Sequence, residues 1–404
     1  MRVNNKQLSI GKIFDGDTSL WVLLLGFCII SILEVYSASS NMTFNNHAAF
    51  WRPIMQHAGY WVMGMVVAWA CSRIPNRYYG WIVLLGVPLS FMLLVAALFT
   101  KGENDGARWI SILGFSVQPS EIAKGVLIVV VSWLLGAMRD ERGATKRAFY
   151  WILGLTVCTC ALIAPENLST AGIVFFVVML LMFVGKVPHK EYGILLGVLI
   201  ISASSAYSFL KFTPKPVIEQ IAELPMLHRV ETWAGRVQNT VAFPEDPDSF
   251  DLNTNPQITQ SRIAISTCNI IGRGPGNSTV REDLPQAYSD FIFPIIVEEM
   301  GIEGAFVVIC MYIILLYRAA KLARRCDNNF PAYIMMGLAL LITIQACVNM
   351  LVAVGIFPIT GQPLPLISRG GSSMMMNCAY IGMMISISRT AQHESASNTD
   401  STDE

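Results

Sequence analysis

The chain has 404 residues, of which 53% are hydrophobic and 14% are charged. Soluble proteins carry about 25% charged residues, so this composition argues against a chain made of ordinary soluble domains. Acidic and basic residues are equal in number, at 28 each, and that balance gives no indication of a polyanion as a partner. We therefore expect a membrane protein with no nucleic-acid partner.

Apolar windows of about 19 residues predict ten membrane-spanning helices. The predicted spans lie near residues 20–38, 55–72, 80–99, 118–137, 149–164, 168–185, 192–210, 291–317, 331–355 and 367–388. The expected fold class is an all-α polytopic membrane protein, with residues 1–390 as a single ten-helix membrane domain. Residues 391–404 are rich in Ser, Asp and Glu, which predicts a disordered cytoplasmic tail.

The distribution of basic residues predicts which side of the membrane each end of this bundle faces. Sixteen Lys and Arg side chains fall on the side of the N-terminus, whereas four fall in the short loops opposite. By the positive-inside rule both termini are cytoplasmic. One large loop, about 211–290, is too long for a simple turn, and its apolar stretches at 216–227 and 263–271 predict short helices lying on the membrane. The extracytoplasmic face is therefore the expected working face.

The sequence indicates neither a dedicated metal site nor a nucleotide site. Its nine cysteines lack the paired spacing of zinc or haem ligands, and its five histidines are scattered without an HExxH motif. Residues 272–278, GRGPGNS, resemble a phosphate loop only superficially, because the required context of strand, turn and helix is missing.

Two ionisable residues open the fourth predicted span. Such residues are costly at membrane depth and are candidates for function. Glu121 lies in the first turn after Pro119, where a carboxylate can simply stabilise the helix N-terminus. Lys124 lies three residues further on, on the same helical face, and capping cannot explain a cation there. Lys124 either neutralises Glu121 or faces a cavity that receives an anion.

Carboxylates also mark two other predicted segments. Glu166 lies in a tight turn between the fifth and sixth spans and is interpreted as a solvated turn residue. Asp290 precedes the eighth span, where it is either a helix N-cap or a functional group. Glu298 and Glu299 follow about 12–14 Å further along that helix. Carboxylates at that depth need partners or protons, so at least one is expected to face the bundle interior.

The last predicted span opens with glycines and serines. Ser372 and Ser373 could donate hydrogen bonds to an anion at the helix N-terminus. The alternative interpretation is close helix packing through small residues.

Three blocks of sequence carry a resemblance to a known family. They are GARWI at 106–110 with QPSEIAK at 118–124; GPGNS at 274–278 with LPQAYSDFIF at 284–293 and EEMG at 298–301; and PITG at 358–361 with PLPLISRGGSS at 363–373. Together they resemble the SEDS family (shape, elongation, division and sporulation), which comprises the FtsW, RodA and SpoVE proteins. Arg369 departs from the usual Tyr, Tyr288 from the usual His, and residues 165–167 from the usual Pro-Asp turn.

The resemblance implies a peptidoglycan glycosyltransferase that polymerises lipid II into glycan strands at the outer face of a bacterial cytoplasmic (inner) membrane. Asp290 would be the catalytic general base, and Lys124 and Arg108 would stabilise the undecaprenyl diphosphate leaving group. The substrate-binding candidates are Lys124, Arg108, Glu121, Ser372, Ser373, Glu298 and Glu299. A divalent cation, Mg or Mn, could accompany the diphosphate, although no ligand set in the sequence requires one.

The resemblance also implies partners and leaves alternatives open. Expected partners are lipid II, the nascent glycan strand, a class B penicillin-binding transpeptidase, other division proteins and membrane lipids. The stretch at 232–236 and the terminal tails favour the division branch of the family over the elongation branch. The strongest alternative is a lipid II flippase, which would need alternating access at the midplane, whereas these motifs cluster towards one side.

Overall fold

The computed structural model describes residues 15–44, 52–99, 110–112, 115–214, 217–218, 234–235, 256–280 and 288–400. In this part of the chain nearly all regular structure is helical. The helices in chain order are α1 (Thr18–Phe44), α2 (Arg52–Arg73), α3 (Asn76–Phe99), α4 (Pro119–Ala137), α5 (Lys146–Val184), α6 (His189–Phe212), α7 (Pro256–Ser266), α8 (Ile292–Ala323), α9 (Asn329–Ala353) and α10 (Gly371–Asp400).

Two short antiparallel hairpins accompany the helices. Strand β1 (Ile110–Ile112) pairs with β2 (Phe115–Val117), just before α4. Strand β3 (Arg139–Asp140) pairs with β4 (Gly143–Ala144) and joins α4 to α5. The second hairpin is a short connection, which keeps α4 and α5 adjacent.

Eight helical segments among the described residues are long and apolar enough to cross a membrane. They are Thr18–Ala38, Asn76–Phe99, Pro119–Ala137, Lys146–Pro165, Asn167–Val184, His189–Phe212, Ile292–Ala323 and Asn329–Ala353. Helices α2 and α10 cover the other two predicted spans but are less apolar. The all-α polytopic membrane fold is confirmed, and the count of ten spans stays a prediction.

Helices α2 and α10 pack along each other through small residues. A Cβ atom added to Gly64 would lie 2.7 Å from the Cys378 sulfur, and one added to Gly382 would lie 2.4 Å from the Ala68 carbonyl oxygen. Small residues let helix backbones approach closely in membranes. This contact explains how two less apolar helices are held in the bundle.

Helix α5 folds back on itself where the sequence predicts a turn. Asn167 has non-helical dihedral angles, with φ −152° and ψ 86°. The Cys160 sulfur lies 3.5 Å from the carbonyl oxygen of Ala171, whereas 11 residues of continuous helix would separate them by about 16 Å. The predicted tight turn between the fifth and sixth spans is therefore present.

The described parts of the large loop and of the tail differ from the sequence predictions. Helix α7 ends at Ser266, so its position is earlier than the predicted helix at 263–271. The other predicted helix, at 216–227, lies almost entirely outside the described residues. Helix α10 continues to Asp400, so the prediction of disorder from residue 391 differs from the structure for 391–400. This stretch has no Pro or Gly, and an existing helix extends readily through such residues.

Helices α4 and α9 form the centre of the bundle. In α4, 72% of the span is buried, and in α9 61%, whereas no residue of α6 is buried. The two central helices approach closely with α5, because a Cβ on Gly337 of α9 would lie 2.5 Å from Ile128 and 3.0 Å from Leu181. Polar side chains on α4 and α9 therefore lie in a closely packed part of the bundle.

Helix α8 breaks at Gly301, which has a positive φ of 71°. A Cβ atom there would lie 2.2 Å from the carbonyl oxygen of Ile270, in the loop that follows α7. Both the backbone conformation and the close approach require glycine.

We predict that Gly301→Ala lowers the thermal unfolding temperature of the detergent-solubilised protein, because left-handed backbone strain alone costs about 1–3 kcal/mol. Gly154→Ala is the matched control. Gly154 lies on an exposed face of α5 with no atom within 4 Å of the added Cβ. Equal unfolding temperatures for the two variants would contradict this explanation of the break.

Candidate functional site

A buried ion pair lies at the centre of the candidate site. The Lys124 ammonium donates to Glu121 Oε1 at 2.8 Å and to Gln345 Oε1 at 3.1 Å. The Lys124 side chain is only 1% exposed. The predicted pairing on one face of α4 is therefore present, and α9 supplies a third member, Gln345, that sequence reasoning missed.

The N-terminal part of α10 contacts this pair. The Ser373 hydroxyl lies 3.5 Å from Glu121 Oε2, and the Tyr380 hydroxyl donates to the Glu121 carbonyl oxygen at 2.6 Å. The predicted residues Lys124, Glu121 and Ser373 thus lie together.

Two hydroxyls on residues that adjoin Glu121 and Ser373 in the sequence have no hydrogen-bond partner among the described residues. They belong to Ser120, in the first turn of α4, and Ser372, in the first turn of α10, and both side chains are buried. Helix N-termini carry positive partial charge and unpaired N–H groups. The site therefore combines one cation, two helix N-termini and two available hydroxyls, a combination suited to an anion.

Asp290 lies in a turn that precedes α8, and it is not a helix cap. The helix begins at Ile292 with Phe291 in the capping position and without a side-chain cap bond. The N-cap alternative for Asp290 is therefore wrong. The Ser289 hydroxyl donates to Asp290 Oδ1 at 2.9 Å, and a Cβ on Gly361 would lie 3.5 Å from Oδ2. Asp290 is half-buried.

The turn at 288–290 is held through three consecutive carbonyl oxygens. The Arg369 backbone N–H donates to the Tyr288 oxygen at 3.0 Å, and the Ser368 hydroxyl donates to the Ser289 oxygen at 2.6 Å. The Asn349 amide donates to the Asp290 oxygen at 2.8 Å. We call these three contacts the turn clamp. They fix the backbone of the residue predicted to be catalytic.

The two residues of this region that depart from the family pattern, Arg369 and Tyr288, contact each other. The Arg369 guanidinium lies over the Tyr288 ring, 5.4 Å from its centroid, and also donates to the Gln56 side-chain oxygen at 2.9 Å. A cation over an aromatic face is a favourable pairing. The two departures thus form one local contact beside the turn.

Glu298 and Glu299 do not reach the Lys124 cluster. Both side chains are fully buried and accept hydrogen bonds from the loop at 273–279. Glu298 accepts hydrogen bonds from Arg273 and Thr279 at Oε1 and from the Ser278 hydroxyl at Oε2. Glu299 accepts from the Ser278 backbone N–H and the Ser37 hydroxyl at Oε1, and from the Gly276 backbone N–H at Oε2. The structure therefore gives these carboxylates a loop-anchoring role, in place of the expected substrate contact.

The same contacts account for the phosphate-loop pattern at 272–278. Backbone N–H groups of Gly276 and Ser278 donate to Glu299 at 3.0 and 3.1 Å. A Cβ on Gly272 would lie 2.3 Å from the Glu299 carbonyl oxygen. The glycines thus let a loop bind the protein's own carboxylates, so the pattern is explained without a nucleotide.

Several predicted positions fall outside the described residues. They are Arg108, the stretch 284–287 and, except for Ala234 and Gly235, the stretch 232–236. The role of Arg108 stays a prediction. Within the described ranges, no group of three or more His, Cys, Asp or Glu side chains could hold a metal ion. A cation that accompanies the diphosphate also stays a prediction.

Sequence reasoning missed three polar residues beside Asp290 and Lys124. Asn349 donates to the Gln362 carbonyl oxygen at 2.7 Å, and the Gln362 amide donates to the Thr170 hydroxyl at 2.8 Å. Gln345 lies one turn before Asn349 on α9. The available signal was a pair of amides four residues apart inside an apolar span, but a survey restricted to ionisable groups overlooks amides.

A buried carboxylate in α1 was missed as well. Glu34 is fully buried, and its oxygens have no hydrogen-bond partner among the described residues. It lies one turn before Ser37, which donates to Glu299.

We predict that Lys124→Met lowers the thermal unfolding temperature, because it leaves the buried Glu121 carboxylate unpaired, at a cost of about 3–5 kcal/mol. Combining Lys124→Met with Glu121→Gln removes both charges and should restore most of the lost stability. The measurement is thermal unfolding in detergent. A double variant that is no more stable than Lys124→Met would contradict this ion-pair account.

Comparison with known proteins agrees with the resemblance in the sequence. The chain is 27% identical to "Probable peptidoglycan glycosyltransferase FtsW" of Coxiella burnetii over 378 residues, covering 91% of this chain and 95% of that protein. It is 30% identical to the protein of the same name from Trichlorobacter lovleyi, covering 93% and 94%.

A solved structure shares the fold. A chain from "Structural coordination of polymerization and crosslinking by a peptidoglycan synthase complex" superposes with a TM-score of 0.70 at 21% identity, covering 93% of this chain and 98% of that one. The family model for FtsW, RodA and SpoVE, described as cell cycle proteins, matches residues 17–393. This match extends over almost the whole bundle and includes both the Lys124 cluster and the Asp290 turn. The chain is thus a member of the FtsW/RodA/SpoVE family.

Proposed function

We propose that this protein is a peptidoglycan glycosyltransferase that polymerises lipid II. The observation that supports this most is that a buried Lys124 ammonium and the turn that carries the half-buried Asp290 both contact helix α9, at Gln345 and Asn349. The names of the two relatives, both peptidoglycan glycosyltransferases, support the same activity.

The reaction requires a base and an anion site. The 4-hydroxyl of one sugar attacks the anomeric carbon of the other, and a new glycosidic bond forms. Asp290, which is half-buried, accepts the hydroxyl proton as the general base. The bond to the undecaprenyl diphosphate breaks, and that group leaves with the bonding electron pair.

Lys124 is proposed to stabilise the leaving diphosphate. Its charge is matched by Glu121, with Gln345 as a second partner. A diphosphate entering between the N-termini of α4 and α10 would gain the ammonium, helix N–H groups and the hydroxyls of Ser120 and Ser372. Such preorganised donors are most effective where charge develops during reaction. Arg108 would add a second cation, and Mg or Mn could accompany the diphosphate.

The location and partners follow from the same proposal. Lipid II polymerisation places the site on the outer face of the bacterial cytoplasmic membrane, in keeping with the bias of basic residues. A class B penicillin-binding transpeptidase is the proposed protein partner, because the similar chain of known structure belongs to a peptidoglycan synthase complex that couples polymerization and crosslinking. A role in septal synthesis is favoured by the FtsW names and the cell cycle description. An elongation role is the alternative within the family.

The proposal is tested by glycan-strand formation from labelled lipid II, with a cognate transpeptidase that has no polymerase activity of its own. Asp290→Ala should reduce strand formation by about 100-fold or more, because a general base contributes that much. Asp327→Asn is the matched control, since Asp327 is an exposed carboxylate between α8 and α9.

Strands formed equally by wild type and Asp290→Ala would remove Asp290 from the mechanism. If wild type forms no strands with or without the transpeptidase, but moves lipid II across vesicle membranes, the flippase would replace the polymerase.

A further inference from the structure

Two buried amides on α9 connect the halves of the candidate site. Gln345 accepts from Lys124 at 3.1 Å, and Asn349 donates to the Asp290 carbonyl oxygen at 2.8 Å. Four residues of helix place these two contacts about 6 Å apart along one face of α9. One rigid helix therefore contacts both the proposed anion site and the proposed base.

The Asn349 side-chain amide donates two hydrogen bonds, which determine its orientation. Its amide nitrogen donates to the carbonyl oxygens of Asp290 and Gln362, whereas its side-chain oxygen has no partner among the described residues. Both neighbours of the nitrogen are acceptors only, so the orientation of the amide is determined. The side chain is buried, and no ordinary apolar residue could replace its two bonds.

The three contacts of the turn clamp are made to backbone carbonyl oxygens and do not involve the Asp290 carboxylate. Two of these contacts come from Ser368 and Arg369, and only Asn349 belongs to a regular helix. Without Asn349, the Asp290 carbonyl would lose the hydrogen bond that ties it to α9, and the remaining contacts of the turn clamp would come from the irregular segment before α10. A displacement of about 1 Å of a catalytic group can reduce a rate about 100-fold.

We propose that Asn349 is a positioning residue that holds the Asp290 carboxylate in its reactive place. This inference rests on the proposed function, because it requires Asp290 to act as the base. Asn349 itself does not touch substrate. Through Gln345 the same helix holds the Lys124 ammonium, so the distance between base and leaving-group site is set by α9.

The test is steady-state polymerisation of lipid II by the full-length protein with its transpeptidase partner. Asn349→Leu keeps the number of side-chain heavy atoms and the branching at Cγ, and it removes both hydrogen bonds that the amide donates. It should lower kcat about 100-fold while KM for lipid II stays unchanged, because the proposed lipid-binding groups are untouched. Thr343→Val is the matched control on α9, since its buried hydroxyl has no partner among the described residues, and it should match wild type.

Ser368→Ala covers the case in which Asn349→Leu does not fold. It removes a single oxygen and with it two bonds, the one donated to the Ser289 carbonyl and the one accepted from the Leu364 N–H. Loss of one such bond from the turn clamp should lower kcat about tenfold, again at constant KM. Thermal unfolding of each variant separates loss of fold from loss of rate.

The positioning role is overturned if Asn349→Leu folds and its kcat equals that of Thr343→Val. If Asn349→Leu does not fold, the same result for Ser368→Ala overturns it. A rise in KM with kcat unchanged would overturn it as well. Asp290→Ala is assayed alongside to separate the two proposals. If Asp290→Ala stays active, the assignment of Asp290 as the base fails. If Asp290→Ala is inactive and Asn349→Leu is fully active, only the positioning role of Asn349 is refuted.

Discussion

The buried pair of Lys124 and Glu121 is the interaction around which the rest of the site is arranged. An ammonium at 1% exposure is tolerated only with partners, and Glu121 and Gln345 supply them at 2.8 and 3.1 Å. Meeting that requirement brings α4 against α9, and the N-terminus of α10 against both. A buried ion pair contributes little net stability compared with apolar packing. We infer that it is kept for its charge.

The carboxylates of this protein fall into two groups with different roles. The carboxylates of Glu298 and Glu299 accept hydrogen bonds from a glycine-rich loop, and they hold that loop against the break in α8 at Gly301. Asp290 is half-buried instead, and it is fixed through its backbone. A partly exposed carboxylate can meet a substrate hydroxyl, whereas a fully buried one cannot. This difference in burial favours Asp290 as the base.

Local patterns in the sequence predict part of this arrangement. The three-residue spacing of Glu121 and Lys124 predicts one shared helical face, and the apolar windows predict the helices. The partners of Glu298 were not predictable in this way, because they come from a loop about 20 residues earlier in the chain. Gln345 and Asn349 carry no charge, so a survey of ionisable groups passes over them. Their roles depend on which helices pack together, which periodicity does not determine.

The most direct test of the account is whether the buried ammonium binds the diphosphate. Lipid II binding should be measured by equilibrium titration in nanodiscs for wild type and for Lys124→Met combined with Glu121→Gln, which removes the charges without leaving one unpaired. The account predicts that the double variant stays folded and binds lipid II at least tenfold more weakly, the loss of about one charge-assisted contact. Unchanged affinity in a folded double variant would contradict the central role given to Lys124.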